Sequence, residues 1–263
     1  GRDSGMSDAM NTPHIEVTDL SYAYPDGTKA LHGISFHVEP GEAVGLIGAN
    51  GAGKSTLLLH LNGFYTASSG HIRVGDITLT PDTLQAARRS VGLVFQNPDD
   101  QLFMPTVGED VAFGPLYADW PPARIDTAVS TALERVGMAH LIHRPPYRLS
   151  AGEKRSVAIA AVLATEPEVL VMDEPSSNLD PRARRRLIDL LRSFQHTRII
   201  ATHDLEFVVE VCTRVIVLDG GSIVATGPTH EILSNERLML AHGLESPHIL
   251  KHRHPHTDFH IHP

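Results

Sequence analysis

Four short stretches hold residues whose types and spacing suit chemistry on a polyphosphate. The first is Gly48-Ala49-Asn50-Gly51-Ala52-Gly53-Lys54-Ser55-Thr56, which meets the pattern G-x-x-x-x-G-K-[ST] at every fixed position. Its glycines let backbone N–H groups close around phosphate oxygens, and a helix starting there adds the positive end of its dipole. Lys54 can then reach the β- and γ-phosphates, while the Ser55 hydroxyl suits a magnesium ion. The bland alternative, a glycine-rich turn that binds nothing, is disfavoured by an apolar run before the loop and a helical pattern after it. The second stretch is Asp173-Glu174, placed directly after the apolar run 169–172. Asp173 suits the carboxylate that holds Mg²⁺, directly or through water, and Glu174 the group that orients or deprotonates an attacking water. The competing reading is a solvated acidic turn. The third is Ala201-Thr202-His203-Asp204, in which His203 can donate a hydrogen bond toward a γ-phosphate, although a lone strand-end histidine is more often structural. The fourth, Leu149-Ser150-Ala151-Gly152-Glu153, is a serine followed by small residues at a helix start. It exposes unpaired N–H groups, with Ser150 as a natural cap, and taken alone it is only a helix cap.

The elements that must hold these residues alternate between strand and helix. Residues 43–47 read as a buried strand and 56–61 as a helix, on either side of the glycine loop. Upstream, 14–20 and 31–38 read as strands around the turn Pro25-Asp26-Gly27. Downstream, 72–74 and 77–79 form a small antiparallel pair, 81–89 a short helix, and 91–95 a buried strand ending at Gln96. The stretch 98–147 differs in character. Pro121-Pro122 and Pro145-Pro146 punctuate a helical pattern over 125–138, which predicts a helical insertion. Helices over 151–164, 181–194 and 205–211 then alternate with strands over 169–172, 198–201 and 215–218. That alternation predicts a mainly parallel sheet with right-handed crossovers.

Composition narrows the class. With 263 residues the chain can bury a sizeable core, and its net charge of −9 argues against a general nucleic-acid footprint. The single cysteine, Cys212, excludes an internal disulfide. No apolar run reaches the roughly 18 residues of a membrane span, so the chain is not expected to cross a bilayer by itself, and no signal peptide is expected. Residues 1–13 are expected to be a cloning remnant and a flexible leader. The basic run Arg182, Arg184, Arg185 and Arg186 reads as a solvated helix face rather than a nucleic-acid patch.

Taken together, these pieces resemble the ATP-binding-cassette ATPases. Gly48 to Ser55 stands as Walker A, Gln96 at the Q-loop, Leu149 to Glu153 at the signature motif, and Asp173-Glu174 as Walker B with its catalytic glutamate. Ser177-Asn178-Leu179-Asp180 matches the D-loop and His203 the switch histidine, all in family order over about 15–233. The resemblance implies a nucleotide-binding core with a mainly parallel sheet, a small antiparallel β subdomain and an inserted α-helical subdomain. It further implies that two copies pack head to tail and trap two ATP molecules between them. Each nucleotide would lie on Asn50, Gly51, Ala52, Gly53, Lys54, Ser55 and Thr56 of one copy and face Ser150, Gly152 and Glu153 of the other. Tyr24 falls where an aromatic stacks on adenine, and Gln96 would contact Mg²⁺ or the attacking water. On this reading Glu174, His203, Gln96 and Lys54 are catalytic, and Ser55, Gln96 and Asp173 serve Mg²⁺. Ala151 and Glu153 depart from the family's Leu-Ser-Gly-Gly-Gln, with Lys154 expected to offset the added carboxylate.

The segments 96–103 and 109–115 resemble the ATPases of energy-coupling-factor importers, which take up vitamins or cobalt and nickel ions. Phe103, Met104 and Val107 are candidates for the groove that receives a membrane subunit, against a plain helical-core role. His248, His252, His254, His256, His260 and His262 form a histidine-rich tract suited to Ni²⁺, Co²⁺ or Zn²⁺, or to mere titration. The expectation is therefore a cassette domain over 14–245, with a helical subdomain at about 98–160 and a tail over 246–263. It hydrolyses ATP at the cytoplasmic face of the membrane, as a homodimer docked on an integral coupling subunit and a substrate-binding membrane subunit, with no nucleic acid. The alternatives are a vitamin importer of the same type and a soluble cassette ATPase acting on DNA or ribosomes.

Overall fold

A computed structural model describes residues 14–251. β1 (Ile15–Ala23) and β2 (Lys29–Val38) pair antiparallel around the Pro25-Asp26-Gly27 turn, where Gly27 adopts φ 91°. β3 (Ala43–Ile47) is buried at every position and runs into the glycine loop and α1 (Lys54–Leu61). β4 (Ser69–Val74) and β5 (Ile77–Thr78) form a hairpin, and α2 (Leu84–Ser90) leads into β6 (Val91–Val94). Three helices follow, α3 (Val107–Tyr117), α4 (Pro122–Arg135) and α5 (Ala151–Leu163). The chain then alternates through β7 (Val169–Asp173), α6 (Pro181–Arg192), β8 (Thr197–Thr202), α7 (Leu205–Val211) and β9 (Arg214–Asp219). It closes with β10 (Ser222–Pro228), α8 (Thr229–Ser234), α9 (Glu236–Ala241) and α10 (His248–Lys251).

Helix starts follow local chemistry. Thr106, Ser150, Asp180 and Asp204 each accept a backbone N–H of the first turn with their side chains, and Pro181 occupies the first position of α6. The strands assemble into a four-stranded antiparallel sheet, β2-β1-β4-β5, and a six-stranded sheet, β10-β9-β3-β8-β7-β6. In the larger sheet every pairing is parallel except β10 against β9. Alternate strand residues feed two apolar layers. Val44, Leu46, Val169 and Val171 pack with α1 and the antiparallel sheet, while Leu170, Met172, Ile200 and Val217 pack with the helices of the other face. This is the mixed α/β architecture expected of a phosphate-loop core.

Two differences from the sequence reading have local causes. β1 continues to Ala23 instead of ending near 20, because a bulge between Val17 and Leu20, with Asp19 at φ 48°, breaks the alternation without ending the pairing. Residues 222–251 were given no elements, yet they form an edge strand and three helices of six residues or fewer. Helices that short show too few turns for an apolar period to emerge. Of the histidine tract only His248 is described, at the start of α10, and the other five histidines lie outside the described residues.

Candidate active site

Three strands bring the chemistry together. β3 and β7 both pair with β8, Ile47 opposite Thr202 and Asp173 opposite Ala201. The glycine loop, the acidic pair and the His203 turn therefore leave adjacent strand ends at one edge of the sheet, where parallel sheets bind ligands.

Within the loop, geometry dictates residue type at two positions. A methyl on Gly48 would lie 2.4 Å from the Leu218 carbonyl oxygen, and Gly53 adopts φ 105° as it caps α1. Lys54 is buried and donates to the carbonyls of Gly48 at 2.5 Å and Ala49 at 3.2 Å, which leaves its third N–H for a phosphate oxygen. Burial pulls its pKa down, opposed by the nearby Glu174 and Asp173. A cavity of about 570 Å³ in front of the loop is lined by Tyr24, Asn50, Gly51, Gly53, Lys54, Ser55, Thr56, Gln96, Glu174 and His203. The Tyr24 hydroxyl bonds Thr56 Oγ1 at 2.6 Å, which fixes its ring at the mouth. Ala52 instead turns its methyl into the core.

Asp173 lines an adjoining cavity of about 730 Å³ together with Ser55, Gln96 and Arg155. Burial pushes its carboxyl above the usual range, opposed by a hydrogen bond from Ser55 and by Lys54. Asp173 Oδ1 is buried with no hydrogen-bond partner among the described residues. A buried anionic oxygen without a donor, beside a serine hydroxyl and a glutamine amide, fits a hard divalent cation such as Mg²⁺.

Glu174 is buried and sits at φ 46°, a strained conformation for a residue with a side chain. Three donors hold its carboxylate. Oε1 accepts the His203 backbone N–H at 3.1 Å and His203 Nδ1 at 2.9 Å, and Oε2 accepts the Thr202 hydroxyl at 2.9 Å.

Ser150, Gly152 and Glu153 line neither cavity and cluster at the start of α5. Ser150 Oγ accepts the Glu153 N–H, and Glu153 Oε1 accepts the Ser150 N–H at 2.9 Å, a reciprocal capping box. That bond holds the Glu153 carboxyl below the usual range. Lys154 does not offset Glu153 as expected, because its ammonium pairs with Asp99 at 2.8 Å. Val107 is not a surface groove residue either. Its side chain is fully buried in the helical core, whereas Phe103 is 60 % exposed. Two members of the basic run are paired, Arg184 with Asp204 and Arg185 with Glu210.

The sequence reading missed Arg155. It is 2 % exposed and donates to the carbonyls of Phe95 at 2.7 Å and Gln96 at 2.5 Å, tying α5 to the glutamine segment. Burial lowers its guanidinium pKa to about 10. The signal was weak, since Arg155 follows Glu153 and Lys154 in the charged first part of α5 and reads as one more exposed charge before the apolar run. Gly220 and Gly221, which line the nucleotide-sized cavity, carried no recognisable pattern.

Comparison with known proteins agrees with this geometry. Residues 31–177 match the family described as ABC transporter. A putative ABC transporter ATP-binding protein of Geobacter sulfurreducens is 57% identical over 233 residues, covering 89% of this chain and 94% of its own length. An energy-coupling factor transporter ATP-binding protein of Carboxydothermus hydrogenoformans is 44% identical over 240 residues, covering 90% and 88%. The solved CbiO1 of Clostridium perfringens, described as part of the ABC transporter complex CbiONQ, superposes with a TM-score of 0.79 at 37% identity, covering 91% of this chain and 98% of its own. The chain therefore belongs to the ABC transporter family as one of its ATP-hydrolysing cassettes.

Proposed function

We propose that this ATPase powers import of a transition-metal ion, cobalt or nickel, as a peripheral subunit at the cytoplasmic face of the membrane. The observation that carries the transport reading is an apolar surface on the helical layer. Phe103, Phe113, Leu116 and Tyr117 are all exposed, and the rings of Phe103 and Phe113 meet edge to face at 5.1 Å. Exposed aromatics grouped in this way suit a partner helix rather than water. The segment that bears Phe103 also bears Gln96, so a partner seated there is linked through a short stretch of chain to the nucleotide cavity. The ion is supported by the histidine tract and by the likeness of 96–103 and 109–115 to energy-coupling-factor ATPases. The net charge of −9 weighs against DNA or ribosomes, and within the basic run the Arg184 and Arg185 guanidinium groups are already paired with carboxylates.

In the reaction, Lys54 and the N–H groups at the start of α1 hold the phosphates of ATP. Ser55, Asp173 and Gln96 would hold Mg²⁺, which neutralises charge on the β- and γ-phosphates. Tyr24 stacks on the adenine. Glu174 accepts a proton from the water that attacks the γ-phosphorus, while His203 donates to a γ-phosphate oxygen, and the bond from the γ-phosphorus to the β–γ bridging oxygen breaks to release ADP and phosphate. A second copy contributes its Ser150, Gly152 and Glu153 to the same nucleotide. Hydrolysis then depends on dimer closure, and closure moves the membrane partner.

The test is co-expression of the tagged chain with its host's membrane proteins, purification in detergent, and uptake measurements. Recovery of an integral membrane subunit, with Co²⁺ or Ni²⁺ uptake that is lost in Lys54→Ala, is the expected result. Recovery of a vitamin-binding subunit instead would replace the ion, and recovery of nucleic acid alone would overturn transport. Phe103→Asp should abolish recovery of the membrane subunit without changing the basal ATPase rate.

A further inference from the structure

We propose that Thr202 is a positioning residue for hydrolysis, and that it selects which oxygen of Glu174 meets the attacking water. The inference rests on the reading of Glu174 as general base and concerns a side chain to which the motif around His203 assigns no role.

An ionised carboxylate offers about four acceptor directions. Three of these are occupied in Glu174, two on Oε1 by the His203 N–H and imidazole, and one on Oε2 by the Thr202 hydroxyl. The remaining direction, unfilled among the described residues, is on Oε2. Thr202 therefore fixes the rotation of the carboxylate and aims its single open lone pair. Position matters here because a general base must sit within hydrogen-bond reach of the proton it takes, and a small misalignment costs rate.

Thr202 is itself rigidly placed. It is fully buried on β8, and its Oγ1 accepts the Asp204 N–H at 3.0 Å, so the hydroxyl proton has only the carboxylate to face. Asp204 carries the restraint outward. Its carboxylate caps α7 through the Phe207 N–H, pairs with the Arg184 guanidinium at 3.1 Å, and accepts the Ser176 hydroxyl at 3.1 Å. The circuit thus runs from the base through Thr202 and Asp204 to α6 and to the loop that follows Glu174. The left-handed φ of Glu174 makes this bracing necessary, because that backbone is held only by its surroundings.

Thr202→Val keeps the shape and removes the hydroxyl, and Thr202→Ser keeps the hydroxyl. For Thr202→Val we expect kcat for ATP to fall by about 10-fold, in the range of one buried charge-assisted hydrogen bond, with KM unchanged. Thr202→Ser should restore most of the rate. A residue acting through Glu174 must also be silent once the base is gone, so Thr202→Val should add no further loss in a Glu174→Gln background. Equal kcat in Thr202→Val and wild type, or full additivity with Glu174→Gln, would overturn the proposal. If Thr202→Val fails to fold, Thr202→Ser against Thr202→Ala decides, since only the serine keeps the hydroxyl, and equal rates in those two variants would overturn the proposal. Normal turnover in Glu174→Gln alone would remove both the base and its positioning residue.

Discussion

Gly152 of α5 lies against Ala183 of α6 so closely that a methyl added to Gly152 would stand 2.7 Å from the Ala183 Cβ. This glycine has a packing reason within the chain itself, separate from any contact with a second copy's nucleotide. Gly152→Ala should gain about 1 kcal/mol of helix propensity but lose about 1–3 kcal/mol to overpacking, a net loss of stability. Ala183→Gly in the same chain should return most of the thermal midpoint. Scanning calorimetry of the two single variants and the double variant checks this, and additive effects would contradict the contact.

Glu174→Gln should bind ATP with near-normal affinity and hydrolyse it at least about 100-fold more slowly, since general base catalysis supplies that order of rate. The glutamine carbonyl can stand in for Oε1 and still accept from His203, while its NH2 in the place of Oε2 can donate to the Thr202 hydroxyl oxygen, so the fold should be unaffected. Equilibrium nucleotide binding and steady-state turnover, measured on the same preparation, separate the two effects. Turnover near wild type would remove Glu174 from the mechanism.

Asp173 sets stability against function. Burial raises its pKa, and a carboxyl raised on folding contributes stability below its unfolded pKa and loses it as the pH climbs through the folded value. At pH 7 the ionised group therefore costs the fold stability. Asp173→Asn should raise the thermal midpoint at pH 7, with the gain vanishing below pH of about 4, where the wild-type carboxyl is neutral in both states. Magnesium-dependent turnover should fall by about 100-fold or more in the same variant. Midpoints from about pH 3 to about pH 8 in metal-free buffer, with turnover titrated against Mg²⁺, test both halves.

Arg155 links the start of α5 to the Gln96 segment through two carbonyls. Arg155→Met fills the volume but removes both charged donors, with an expected cost of about 1.5–3 kcal/mol for each bond of this kind that is not replaced by water. The ATPase rate should fall as well, because Gln96 loses its backbone anchor. Arg155→Lys, which can satisfy one carbonyl, should fall between the two. Chemical denaturation and steady-state kinetics give the order, and an unchanged rate in the Met variant would free Gln96 from this dependence.

Much of the site was legible because it is built from contiguous residues. The glycine loop carries its own geometry, since Gly48 and Gly53 are demanded by a close carbonyl and a positive φ, and the helix that follows starts where the loop ends. Ser150 likewise announced a helix cap, and α5 begins there, while the part Glu153 plays in that cap emerged only in the structure. Apolar runs at 43–47 and 169–172 were continuous enough to read as buried parallel strands.

Other features were decided only when distant segments met. Val107 and Phe103 are similar in hydropathy and four residues apart, yet one is core and the other surface, which depends on how α3 packs and not on either residue. Lys154 chose Asp99, 55 positions away, over its neighbour Glu153, whose carboxylate was already turned back onto the Ser150 N–H. Thr202 and Arg155 gain their roles only from the ends of β7 and β6 that come to lie beside them. Sequence by itself determined which residues could bind and cleave a polyphosphate, because backbone conformation and residue chemistry are local properties. Tertiary structure decided which oxygen is free, which charge is paired and which apolar face is left exposed, because burial and hydrogen-bond partners are set by neighbours that sequence separation does not reveal.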